Sequence, residues 1–160
     1  MQIELQNGLI AKVDEEDWVT LGLSRYTWQA KKHGHKSYVI ANVWNSERKQ
    51  QVGVRMHRLI LNAQPGQFID HIDGDGLNNL RTNLRFASNA QNQQNTSSRR
   101  GSSQFKGVSW MVSKGKWLVA FRCEGQHHFV GYFDNEIEAA RAYNAAIVPL
   151  AGMYARLNPV

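Results

Sequence analysis

Along the first third of the chain, short apolar runs alternate with polar residues at a period of two. LIAKV (9–13), SYVIANVW (37–44) and QVGVRM (51–56) read as short strands. Successive side chains of a strand leave opposite faces, and one face suffices for a core. Between them DEEDWVTLGL (14–23) places acids ahead of apolar residues, which predicts a capped helical turn. Trp18, Trp28, Tyr38 and Trp44 are expected to form a small core here. KKHGHK (31–36) reads as an exposed hairpin tip, because two histidines two apart are weak evidence for a metal.

The pattern then changes. After MHRLILNA (56–63) a Pro65-Gly66 turn leads into a strand, QFIDHI (67–72). A polar loop, DGDGLNNLRT (73–82), a second strand, NLRFA (83–87), and SNAQNQQN (88–95) follow. Ser88 and Gln91 have the S-x-x-Q spacing of a capping box, so a helix is expected to start at Ser88. QQNTSSRRGSSQ (93–104) is Ser-rich, lacks apolar periodicity and reads as a linker. Three β-rich runs come next, FKGVSW, KWLVAFR and HHFVGYF, separated by turns containing SKG and EGQ. Asn135 and Glu138 then cap a helix on which Ala139, Ala142, Tyr143 and Ala146 share a face, with Tyr143 expected in the core. The predicted fold class is α+β. A β-rich region (1–55) precedes a strand-loop-strand-helix motif (56–95), a linker (96–104) and a small three-stranded antiparallel sheet packed on one helix (105–160).

Composition is that of a folded soluble domain, 42% hydrophobic and 20% charged over 160 residues. The single cysteine, Cys123, excludes an internal disulfide or a Cys-rich zinc site. No apolar run reaches the length of a membrane span, and the early Glu4 with no basic leader points to an intracellular setting. Net charge is +6, unevenly spread: residues 96–133 hold six Lys and Arg against one acid, Glu124. Such a segment suits a polyanionic partner.

FIDHIDGDGLNNLRTNLR (68–85) concentrates three aspartates, a histidine and three asparagines. A calcium loop starting at Asp73 fails, since Leu77, Asn78 and Leu84 fall where an acid or amide, a glycine and a glutamate are required. Asp73 and Asp75 fit a polar turn instead. Asp70 and His71 precede that turn and need another account. Histidine has the intrinsic pKa to take a proton from water near neutrality, and aspartate is a hard oxygen ligand suited to Mg²⁺. Asn92 can offer an amide oxygen to the same ion, and Asn83 can fix the loop or orient His71. These are the parts that phosphodiester cleavage requires.

MHRLIL, DHIDGDGLNN, NLRFAS and Asn92 together resemble the HNH homing-type endonucleases, whose fold is the ββα-metal motif. The resemblance implies His71 as general base, Asp70 and Asn92 as ligands of Mg²⁺ (or Mn²⁺), and Asn83 as the structural asparagine. His57 also matches the family pattern, and Arg85 is placed to clamp a DNA phosphate. On a regular strand Asp70 and His71 face opposite ways, so their convergence calls for an irregular strand end.

Residues 103–158 are similar to the plant-type Apetala-two/ERF DNA-binding domain, which reads the major groove with a three-stranded sheet. This implies Lys106, Trp117, Arg122 and Phe129 at sheet positions facing DNA, with Trp110, Lys114 and Lys116 beside them. Ser109 and Met111 stand where that family has arginines, which favours phosphate positioning over base reading. The sequence therefore predicts an HNH endonuclease acting on double-stranded DNA in a bacterial or phage-infected cell. It is expected to be a monomer, with no membrane and no small-molecule organic cofactor. The alternative is a non-catalytic, sequence-specific DNA-binding protein.

Overall fold

Period-two alternation and Gly-rich turns build most of this molecule. The computed structural model describes residues 1–96 and 101–160; the part of the expected linker at 97–100 lies outside the described residues. The chain divides into two units, Met1–Ala87 and Ser88–Val160.

In the first unit, β1 (Gln2–Glu4) pairs antiparallel with β2 (Ile10–Val13). A short helix, α1 (Glu15–Thr20), follows. Its N-cap residue Asp14 makes no side-chain cap, and its Oδ2 instead accepts the backbone N–H of Arg81 at 2.7 Å. A three-stranded antiparallel sheet comes next, formed by β3 (Gln29–His33), β4 (Lys36–Asn45) and β5 (Gln50–Arg55). The β3–β4 turn is the exposed hairpin tip expected from KKHGHK. MHRLI forms a helix, α2 (Met56–Ile60), whose Met56 and Ile60 are buried one turn apart.

The core of this unit gathers Leu5, Val13, Leu23, Trp28, Val39 and Met56, with Trp18 partly buried against it. Trp44 is not part of that core: it is 66% exposed. Alternation explains this, because Val39 and Ala41 turn inward on β4 and even-numbered residues turn outward. β6 (Phe68–His71) pairs antiparallel with β8 (Leu84–Ala87), matching the two expected strands. Between them a two-residue strand, β7 (Asn78–Asn79), pairs parallel with β2 and ties the polar loop to the N-terminal region.

The second unit opens with α3 (Asn89–Gln94). Its capping box is fully formed: Gln91 N–H donates to Ser88 Oγ at 3.1 Å, and Ser88 N–H donates to Gln91 Oε1 at 2.7 Å. A cap of this kind contributes about 1 kcal/mol. β9 (Val108–Met111), β10 (Lys116–Cys123) and β11 (Gln126–Phe133) form an antiparallel sheet with β10 central. The helix α4 (Glu136–Ala151) starts at Asn135, whose Oδ1 accepts from the N–H groups of Ile137 and Glu138.

The buried face of α4 is Ala139, Ala140, Tyr143 and Ile147, rotated from the expected Ala139, Ala142, Tyr143 and Ala146. Ala142 and Ala146 are only partly buried, because the larger Ile147 centres the contact with the sheet. The small alanines bring the helix close to its sheet. The C-terminal segment is fastened by reciprocal amide bonds: Asn144 and Asn158 exchange two, at 2.9 and 2.7 Å, and Asn158 exchanges two with the backbone of Lys106.

Gly107 holds this core together from the strand side. Its φ is +75°, and a Cβ there would lie 2.2 Å from Cδ2 of Tyr143. Gly107→Ala is therefore expected to destabilise the protein by about 2 kcal/mol or more, through both backbone strain and overpacking. A denaturant-midpoint measurement checks this, and an unchanged midpoint would contradict it.

Candidate active site

The site is built on β6 and the polar loop after it. Asp70 and Arg85 are directly opposite on the β6–β8 ladder, and His71 is opposite Leu84. The ladder is regular up to His71, the last residue of β6. Both side chains are buried, and the charge of Asp70 acts on the His71 imidazole and on Tyr38, the ring packed against it.

Asp70 is 3% exposed, and Arg85 meets it with two donors on one oxygen: Nε and Nη2 donate to Oδ2 at 2.9 and 2.6 Å. Pairing is what makes a carboxylate tolerable at that depth. Arg85, expected to clamp a phosphate, is thus engaged with Asp70 and largely buried.

His71, 4% exposed, lies against two other rings. His57 on α2 packs edge-on at 5.0 Å between centroids, and Tyr38 on β4 lies 5.8 Å away. Tyr38 also meets His57 at 5.7 Å. Burial pushes the His71 imidazole below its ordinary value, partly offset by a side-chain hydrogen bond with Asn79 and by the charge of Asp73. His57 is pushed down to about 3 by burial, with His71, Arg55 and Arg58 adding to the effect. Nδ1 of His57 has no hydrogen-bond partner among the described residues. His57 is therefore a buried neutral imidazole beside His71.

Asn83 organises the loop. Its Nδ2 donates to Asp73 Oδ1 at 2.9 Å and to the Asn78 carbonyl at 2.8 Å, and its Oδ1 accepts from Asp73 N–H at 3.0 Å. Asp73 Oδ1 also accepts from Asp75 N–H, and Asp75 Oδ1 from Leu77 N–H, so both aspartates bond within the turn. Gly76 lies flat against β4: a Cβ there would stand 2.2 Å from the Ser37 carbonyl and 2.7 Å from the Tyr38 ring. Arg81, next to this loop, donates twice to buried Asp17 at 2.9 and 2.6 Å. Tyr38 carries no mark of the site in the sequence, and only the fold brings its ring to His71. Asn79 closes the DHIDGDGLNN run, but the run alone gives it no role.

Asn92 lies on α3 and so belongs to the second unit. There Lys106 donates its ammonium to the carbonyls of Gln93 and Gln94 at the C-terminus of α3, and burial pushes it down to about 8. Lys106 precedes β9 and is not on the sheet. Trp117 turns to the helix side with Val119 and Phe121, and packs against Trp110 at 5.0 Å. Arg122, Phe129 and Lys116 lie on the opposite, open face, where Lys116 pairs with Asp134 and Lys114 sits over the Tyr132 ring. Among the described residues no three His, Cys, Asp or Glu side chains cluster as a metal site.

A buried imidazole, a carboxylate at the preceding strand position and an asparagine-locked loop between two antiparallel strands make up a ββ hairpin site. Sequence comparison gives this site a family. The chain is 31% identical over 156 residues to an uncharacterized HNH endonuclease of Acanthamoeba polyphaga mimivirus, across 96% of this chain and 76% of that protein. It is 38% identical over 64 residues to Protein 3.8 of Escherichia phage T7, across 39% of this chain and 53% of that protein. No family model matches. The chain belongs to the HNH endonuclease family.

The depressed His57 predicts a pH signature in stability. Above about pH 6.5, the ordinary imidazole value, His57 is neutral in both folded and unfolded chains. Below it the unfolded chain binds a proton that the folded chain refuses until about 3, so stability is lost as pH falls through that window. The loss reaches about 1.4 kcal/mol per pH unit from this residue. Between pH 7 and pH 5, His57→Gln is expected to lose about 2 kcal/mol less than wild type in chemical denaturation. Equal losses would show that His57 protonates readily in the folded protein.

Proposed function

We propose that the protein is a metal-dependent DNA endonuclease of the homing type that hydrolyses phosphodiester bonds with His71 as general base. The observation that carries this reading is a histidine held neutral by burial, directly after a buried carboxylate, in a member of this family. A neutral imidazole takes a proton from the water that attacks phosphorus; a protonated one does not. Asn79 and the charge of Asp73 favour the protonated ring, and His57 and Tyr38 pack against it. Asn83 sets the loop that follows, which keeps the strand end rigid where the reacting phosphate arrives.

Asp70 and, on α3, Asn92 would hold Mg²⁺ or Mn²⁺. Both offer hard oxygen, the donor type these ions prefer, and an ion at Asp70 would have to share the carboxylate with Arg85 or displace it. An ion there supplies positive charge at the phosphate and at the leaving oxygen. The second unit serves as the DNA-binding module. Arg122, Phe129 and Lys116 on its open sheet face, with Lys114 at the edge, are the proposed contacts. Trp110, Trp117 and Lys106 shape the sheet and its junction with α3.

Incubation of supercoiled plasmid with Mg²⁺ tests the reading. His71→Ala is expected to cut about 10²–10⁴-fold more slowly than wild type while binding DNA as well. A variant that cuts at the wild-type rate would remove His71 from the mechanism. Asp70→Ala and Asn92→Ala are each expected to weaken metal-dependent cleavage. Full activity in excess EDTA would exclude the metal.

A further inference from the structure

The three-stranded sheet of the first unit has one face against the core and one face open. Cross-strand partners share a face, so the register Lys31↔Tyr38, Ile40↔Arg55 and Trp44↔Gln51 places Lys31, Tyr38, Trp44 and Arg55 on the same side. Val39 and Ala41, at the intervening positions, are buried. The open side carries a groove of about 390 Å³, lined by Lys31, Lys32, His33, Tyr38 and Arg55 among others, with no carboxylate in the lining. Gly53 leaves the groove without a side chain opposite Asn42.

The charge of this face is hidden in the sum. Residues 1–55 contain eight Lys and Arg against six acids, which looks nearly balanced. The acids are Glu4, Asp14, Glu15, Glu16, Asp17 and Glu47, and none lies on β3, β4 or β5. Separation of this kind gives one face a cationic field that net charge does not report. Trp44, exposed on the same face, adds an apolar contact at the other end of β4.

The groove borders the site through one residue. Tyr38 lines it, and the same ring lies 5.8 Å from the His71 ring. The Arg55 guanidinium sits over Tyr38 at 5.9 Å. Tyr38 is thus the one ring shared by the groove lining and the packing around the buried imidazole.

We propose that the open face of β3–β4–β5 is a docking surface for the phosphate backbone of duplex DNA, held on the far side of the Tyr38 ring from His71. Lys31 and Arg55 neutralise phosphates, and Trp44 packs against sugar or base edges. The identity of the polyanion rests on the nuclease reading; the cationic groove does not.

The test measures binding of the full chain to labelled duplex DNA by fluorescence anisotropy across a salt series, without divalent metal so that no cutting occurs. Lys31→Gln with Arg55→Gln is expected to lower the log–log salt slope by about 1.8, at about 0.9 for each phosphate no longer neutralised. Lys31→Gln alone is expected to lower it by about half that amount. Trp44→Ala is expected to weaken binding with the slope unchanged. Lys12→Gln, on β2 in another sheet, is expected to behave as wild type. A wild-type slope in the double variant, an equal loss in Lys12→Gln, or tighter binding of an RNA duplex of the same sequence would overturn the proposal. If the double variant shows the lowered slope and the wild type never cuts with Mg²⁺ or Mn²⁺, the docking surface stands and the nuclease reading falls. Absence of DNA binding by the wild type would overturn both.

Discussion

The ion pair between Asp70 and Arg85 constrains the candidate site more than any other contact. A carboxylate 3% exposed on a strand is tolerable only beside a cation, and the cation sits at the directly opposite position of the partner strand. This pairing selects the register of β6 against β8. A slip of one residue would turn every side chain to the other face, burying Arg85 in the core and expelling Leu84 and His71. Removing Arg85 alone would leave an uncompensated buried charge, a change that generally costs about 3–5 kcal/mol. The charge pair thus fixes the register in which His71 closes the strand.

Beyond the strand end, the chain spends polar groups on local order rather than on burial. Asn83, Asp73 and Asp75 satisfy the backbone N–H groups of a loop that has few apolar contacts. Gly76 lets that loop touch β4, and β7 joins it to β2. The result is a loop held by hydrogen bonds from its own side chains. The second unit is organised differently. Its stability rests on a small apolar core of Val119, Phe121, Tyr143 and Ile147, closed by Gly107 and the Asn144–Asn158 amide bonds.

Much of this fold is legible in the sequence because local signals carry it. Ser88 and Gln91 announce α3, Asn135 announces α4, and alternation gives most strands of the two three-stranded antiparallel sheets. The same alternation, followed strictly, places Trp44 outside the core and Trp117 on the helix side of its sheet. Counting aromatics without their parity obscures both. Other features depend on long-range placement that no local pattern encodes. Tyr38 meets His71 only after β4 and β6 are assembled, β7 pairs with a strand far upstream, and Asp17 binds Arg81 across the unit. The cationic face of β3–β4–β5 is concealed by acids clustered in α1, since a count along the chain averages what the fold separates.

We propose a divalent ion as the functional partner of the buried Asp70 carboxylate, which faces the Arg85 cation in this structure. Unfolding of the full chain with and without Mg²⁺, for wild type and Asp70→Asn, tests it without reference to cleavage. Asparagine keeps the shape and an oxygen for Arg85 while removing the charge. Mg²⁺ is expected to stabilise the wild type by RT ln(1 + [Mg²⁺]/Kd), about 2.7 kcal/mol at a hundredfold excess over Kd, and to leave Asp70→Asn unmoved. The same Mg²⁺ response in both proteins, or none in the wild type at a concentration that supports cleavage, would contradict it.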